Sequence, residues 1–133
     1  MIEIDGSYGE GGGQILRSSL TLSALTGKSM HIHSIRDKRD KPGLRPQHLT
    51  AVNAIAKITH AELQGTSQNA SSLTLHPQTI QPGKYHFDIP IAGALTLVLQ
   101  TIFLAVCFAK GPAWVSLTGG THVRWSPIYH YLQ

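Results

Sequence analysis

An α/β fold assembled from a repeated strand–helix–strand–helix–strand–strand unit is what this sequence predicts, on three observations. Segments of strand-like and helix-like apolar periodicity take turns along the chain. A stretch of five glycines in thirteen residues, DGSYGEGGGQILR at 5–17, joins the first strand to the first helix. The element order then begins again about 85 residues downstream. Residues 1–84 therefore form a first βαβαββ unit, and residues 85–133 an incomplete second unit of the same large domain. With 133 residues, 41% hydrophobic and 14% charged, the chain has one domain's length and enough apolar material for a core.

The first unit reads as a strand at 2–4, a helix at 12–26 and a half-buried strand at 30–35. A loop at 36–45 leads to a second helix from Pro46 to about residue 60, and strands follow at 61–64 and 73–76 around a polar turn. Gln14, Arg17, Ser18 and Thr21 recur at spacings of three and four, so they share the polar side of the first helix. Gly27 is placed to stop that helix and Pro46 to open the second. In the second unit a strand at 85–89 leads through a turn with Gly93 into a helix to about residue 109. A strand at 114–117, a loop at 118–126 and a helical turn from Pro127 close the chain.

Glycine at this density is kept for a tight turn or a close backbone approach. A strand, a glycine loop and a helix start together make an anion site, with N–H groups and the helix dipole facing the ligand. The pattern is neither a P-loop nor a clean GxGxxG. Glu10 is the unexpected member, since a carboxylate repels phosphate unless a cation stands between them. Arg17 is placed to face the same site. The alternative is a plain turn with a solvated glutamate.

The second informative stretch is RDKRDKPGLR, residues 36–45. It carries five positive and two negative charges, net +3 of the chain's +4. Between a strand and a helix N-terminus it is either a shaped loop offering guanidinium forks to phosphate or a solvated charged loop. Gln47 and His48 follow in the first helical turn. The eight histidines are scattered without metal-ligand spacing. The single Cys107 excludes an intrachain disulfide and a multi-cysteine zinc site. The acidic MIEIDGSYGE start is not a signal peptide, and a cytoplasmic protein is expected. The nineteen uncharged residues at 91–109 approach the length of a bilayer span, but the amphipathic neighbours and Gln100 favour a buried helix of an α/β layer.

GSYGEGGGQILR, KPGLRPQHLTAV, AGALTLVLQT and GGTHVRWSP, in this order and at these separations, resemble the amino-terminal part of the RNA 3′-terminal phosphate cyclase family. The resemblance covers essentially all 133 residues. It implies a fold similar to the enolpyruvyl transferases, with repeated βαβαββ units like the C-terminal domain of translation initiation factor 3. It implies the ATP- and divalent-metal-dependent (Mg2+ or Mn2+) conversion of an RNA 3′-phosphate to a 2′,3′-cyclic phosphate through a histidine adenylate. On this resemblance Glu10 matches the metal and ATP-phosphate glutamate, Arg17 an arginine near the same phosphates, Gln100 and His122 residues of the adenylate pocket. Arg36, Arg39, Gln47 and His48 match a set that holds phosphates of ATP or of the RNA 3′ end.

The chain departs from the family pattern in places. It reads DIPIAGA where DIGTAGS is usual, so Pro90, Ile91 and Ala94 remove a glycine and two hydroxyls. Asp37 and Lys38 replace small residues, and Arg124 replaces a proline or asparagine. No histidine matches the family's nucleophile, which lies further downstream. The expected function is thus the amino-terminal, nucleotide- and RNA-binding part of a cyclase, inactive alone. The alternatives are a non-catalytic cyclase-like RNA-binding or ribosome-assembly module and a degenerate truncated copy. Unpaired strand edges and the apolar helix at 91–109 are expected to drive homodimer formation, without a membrane.

Overall fold

The computed structural model describes residues 1–7, 13–89, 95–109, 111–119 and 122–128. Its elements in order are β1 (Ile2–Asp5), α1 (Gly13–Thr26), β2 (Met30–His33), α2 (Pro46–Thr59), β3 (Glu62–Gln64), β4 (Leu73–His76), β5 (Gly83–Ile89), α3 (Leu95–Cys107), β6 (Ala113–Gly119) and β7 (His122–Ile128). The fold is α/β, and its first six elements run β-α-β-α-β-β as expected.

The strands form two sheets. In the first, ordered β1-β2-β4-β3, β1 and β2 are parallel and the other neighbours antiparallel. In the second, ordered β5-β6-β7, β5 and β6 are parallel and β7 runs antiparallel to β6. Each parallel pair is joined through a helix, α1 or α3, as a parallel connection requires. Met30, Ile32, Leu73 and Leu75 of the first sheet and Tyr85, Phe87, Ile89, Val115 and Leu117 of the second belong to one buried core, with Leu16 and Leu20 of α1, Ile55 and Ile58 of α2, and Val98 and Ile102 of α3. The strict alternation along β5 puts Lys84, His86 and Asp88 outward and the aromatic residues inward.

The helix ends follow their residues. Gly27 takes φ +70° and its N–H bonds the Ser23 carbonyl at 2.9 Å, stopping α1. Pro46 opens α2, and His60 at φ 52° caps its end. Ser19 and Ser23, buried on α1, donate to the carbonyls of Ile15 and Lys28, so neither hydroxyl costs an unmade bond.

Three expectations need correction. β2 ends at His33 rather than residue 35, because Ser34 and Arg36 take φ 55° and 53° and turn the chain out of the sheet. The expected loop at 118–126 and the helix start at Pro127 are replaced by a β6 that runs to Gly119 and by β7. The β-prone stretch with Val123 and Trp125 pairs along the free edge of β6. Pro127, opposite Trp114, is tolerated because β7 is an edge strand. The rest of the expected helical turn, at 129–133, lies outside the described residues. Third, α3 ends at Cys107 rather than near residue 109. No helix among the described residues is long and apolar enough to cross a membrane.

Candidate functional site

The first helical residue of α1 meets the first turn of α2. A side chain at Gly13 would stand 2.8 Å from His48 Nε2 and 3.0 Å from an Arg17 guanidinium nitrogen. Only glycine leaves this approach open. His48 is 5% exposed. Its Nδ1 accepts a hydrogen bond from the Arg45 backbone N–H at 3.0 Å, which assigns the ring proton to Nε2. Burial, and then the charges of Arg36, Arg17 and Arg45, hold its pKa down at about 4. At neutral pH His48 is therefore a neutral imidazole with its Nε2–H toward the start of α1, and no described group accepts from it.

Three guanidinium groups lie near enough for their charges to be felt at this ring, each tethered by a neutral acceptor. Arg17 donates to Gln14 Oε1 at 2.9 Å. Arg36 donates to the carbonyls of Lys41 at 2.7 Å and Gly43 at 3.1 Å. Arg45 donates to Asn69 Oδ1 at 2.8 Å. Burial and the nearby Arg39 and Arg45 charges lower the pKa of Arg36. The ion pairs formed among the described residues, His31–Glu3 and His86–Asp88, involve none of these arginines. Positive groups gathered and ordered with no described carboxylate among them favour an anion with several oxygens.

Arg17 also borders a groove of about 400 Å³ between α1 and α3, lined by Gln14, Ser18, Thr21, Leu22, Gln100 and Leu104 among others. The polar stripe of α1 faces this groove. Gln14 bonds Ser18 at 3.0 Å, and the Thr21 hydroxyl donates to the Thr101 carbonyl at 2.9 Å, joining the two helices. One wall is apolar, with Leu22 60% and Leu104 49% exposed. The structure thus brings together a cluster of cationic side chains near His48 and a half-apolar groove that share Arg17.

Of the site residues expected from sequence, Arg17 and His48 meet at Gly13, and Arg36 lies near enough for its charge to be felt at His48. Arg39 is exposed on the same loop, close enough to Arg36 for its charge to be felt. Gln47 is half-buried in the first turn of α2. Gln100 is exposed in the groove rather than deep in a buried helix. It lies on the side of α3 that packs beside α1's polar stripe, so the apolar run is not buried all round. The His122 backbone pairs with Gly119 in β7, and its side chain lies outside what is described. Glu10 lies outside the described residues. Among those described, no three His, Cys, Asp or Glu side chains gather to hold a metal ion. Sequence reasoning missed Gly13 as a contact point, and also Arg45 and Asn69. Arg45 carried a signal, standing directly before the proline that opens α2; Asn69, in a polar turn, carried none.

Residues 8–133 match the family model described as RTC: RNA 3'-terminal phosphate cyclase. Similar curated proteins include those named RNA 3'-terminal phosphate cyclase from Staphylothermus marinus, 51% identical over 133 residues, and from Trichormus variabilis, 51% identical over 140 residues. These alignments take in 100% of this chain and 37% and 40% of the relatives. A protein of the same name from Pyrococcus furiosus is 49% identical over 132 residues, 99% of this chain and 39% of its own. The chain spans about two fifths of the length of these relatives. A family match running from the glycine loop through both helix-bordered sites to the last residue leaves one assignment: this chain belongs to the RNA 3′-terminal phosphate cyclase family.

Proposed function

We propose that this chain binds ATP and the phosphorylated 3′ end of RNA, as the amino-terminal part of an ATP-dependent cyclase acting in the cytoplasm. The reaction class converts an RNA 3′-phosphate to a 2′,3′-cyclic phosphate. AMP is transferred from ATP to the terminal phosphate with release of pyrophosphate, and the neighbouring 2′-hydroxyl then displaces AMP to close the cyclic phosphate. The observation that carries this reading is the cluster of Arg17, Arg36 and Arg45, whose charges are felt at neutral His48, with no described carboxylate paired to any of them. The half-apolar groove between α1 and α3, reached through Arg17 and holding Gln100, supports a planar base beside the phosphates. The cluster offers hydrogen-bond donors and not metal ligands. A magnesium or manganese ion would therefore be held by Glu10 with phosphate oxygens, and it would supply charge neutralisation between those anions.

Binding of a short RNA ending in a 3′-phosphate, compared with the same RNA ending in a 3′-hydroxyl, tests the reading. Preference for the phosphate, lost in R17Q and R36Q, is expected. Equal affinity for both ends would overturn it. ATP binding measured with magnesium and with chelator tests the part given to Glu10, and equal affinities would remove it. Self-association belongs to the same proposal: Phe103, Leu104 and Phe108 of the α3 region, with Leu22, are about half or more exposed. Light scattering over a dilution series up to ~100 µM, where exposed apolar surface makes itself felt, is expected to show a dimer. A monomer throughout would discard that part.

A further inference from the structure

The basic loop is not free-standing. Its backbone is laced to the β3–β4 connection by hydrogen bonds and one close approach. Ile35 N–H bonds the Ser71 carbonyl at 2.9 Å, and Leu44 N–H bonds the Ala70 carbonyl at 2.9 Å. Asn69 N–H returns to the Leu44 carbonyl at 2.8 Å. Gly43, at φ +82°, packs so closely on the Asn69 carbonyl that no side chain fits there. Asn69 itself takes φ +70°, a conformation that asparagine and glycine adopt at little cost. This fixes where its side chain starts, and Oδ1 meets Arg45 Nη1 at 2.8 Å.

We infer that Asn69 is a positioning residue for the anion site, holding the Arg45 guanidinium as a third cationic arm beside Arg17 and Arg36. The inference rests on the phosphate-binding reading above and extends it to the β3–β4 turn, which lies outside the motifs of the resemblance. The chemistry of the tether carries it. Arg45 is half-buried at the start of α2, and its charge reaches both His48 and Arg36. A carboxylate tether would order this side chain equally well but would cancel its charge. An amide oxygen orders it, occupies one donor and leaves the charge and the remaining donors for a ligand. Gln14 on Arg17 and the two loop carbonyls on Arg36 serve in the same way, so all three arms are preordered without being neutralised by any described carboxylate. Side-chain ordering is then complete before the anion arrives, and binding is tighter by that amount. Three fixed positive charges suit a polyphosphate better than a single phosphate.

Titration with inorganic pyrophosphate at two or more salt concentrations tests this in the whole 133-residue chain. N69G keeps the left-handed backbone and removes the tether; its Kd is expected to rise roughly fivefold, and that of R45Q roughly tenfold. N69D keeps both the backbone tolerance and the oxygen but pairs Arg45 with a charge. It is expected to weaken binding and to flatten the salt dependence, whereas a merely structural role for Asn69 would survive this change. In an R45Q background N69G should not weaken binding further. Pyrophosphate binding equal to that of the parent chain in N69G and N69D, with the melting temperature unchanged, would overturn the inference alone. Absence of binding by the parent chain would overturn the phosphate-site reading and this inference with it.

Discussion

His48 feels the charges of Arg17, Arg36 and Arg45 with no described carboxylate, whereas His86 lies between partners of its own. His86 Nε2 is 2.9 Å from Asp88 Oδ1, and Nδ1 is 3.0 Å from the Ser116 hydroxyl. These groups sit on the outward face of the paired strands β5 and β6, with Thr118 3.3 Å from the same ring. Both rings are hydrogen-bonded. The difference is what remains after the fold's internal bonds are counted. Around His86 each ring nitrogen has a partner and a carboxylate stands beside the ring, so the cluster joins two strands and asks for nothing further. Around His48 one nitrogen is used, one N–H has no described acceptor, and no described carboxylate pairs with the positive charges. A binding site is recognisable here by its surplus of unmatched donors, not by its histidine.

The largest effect that could undo this contrast is covalent. His48 has its proton on Nε2 and its Nδ1 lone pair engaged, so it is a donor and not a nucleophile. Incubation of this polypeptide with labelled ATP and magnesium is expected to leave no histidine-bound AMP, and a stable adduct on His48 or His86 would contradict both assignments.

The next largest effect is expected at Gly13. A valine there must displace His48 Nε2 and the Arg17 guanidinium, so ATP affinity should fall on the order of 100-fold, the loss of one or two hydrogen bonds to charged groups. H86A should leave that affinity unchanged. Calorimetric titration of both variants decides the matter, and similar affinities for G13V and the parent chain would mean that the site lies elsewhere.

Acid tests the state of His48 directly. His48 has a pKa of about 4 in the folded chain against an ordinary 6.5. Between these values the unfolded chain takes up a proton that the folded chain refuses. Its contribution to stability is therefore full above pH 6.5 and is lost as the pH falls toward 4, by up to about 3 kcal/mol. Urea unfolding at a series of pH values should show this slope, with H48Q flattening it.

The smallest effect is expected at His86 itself. Its ring is half exposed and its pair with Asp88 stands in solvent, so H86A should cost no more than about 1 kcal/mol in thermal or urea unfolding, as for other cross-strand pairs. A larger loss would mean that the β5–β6 cluster holds the second sheet together more firmly than its exposure suggests.

Much of this molecule was legible in the sequence, because local chemistry dictated it. Gly27 and Pro46 bound their helices where a flexible φ and a missing N–H require it, and the strand at 85–89 was placed from its sequence. The polar stripe Gln14–Arg17–Ser18–Thr21 was readable from helical spacing alone, as was the net charge of the loop at 36–45. Tertiary structure decided what spacing does not encode. The β7 pairing arose because the free edge of β6 offers hydrogen bonds to whatever β-prone segment comes next, and Pro127 argued locally for a helix instead. Gln100 faces a groove because α1 packs beside α3, a contact between residues about 80 positions apart. The meeting of Gly13, His48 and Arg17, and the hold of Asn69 on Arg45, likewise join segments with no shared sequence pattern. Charge can be counted along a chain, but whether an arginine finds a carboxylate, an amide or a ligand is settled only by which loops the core brings together.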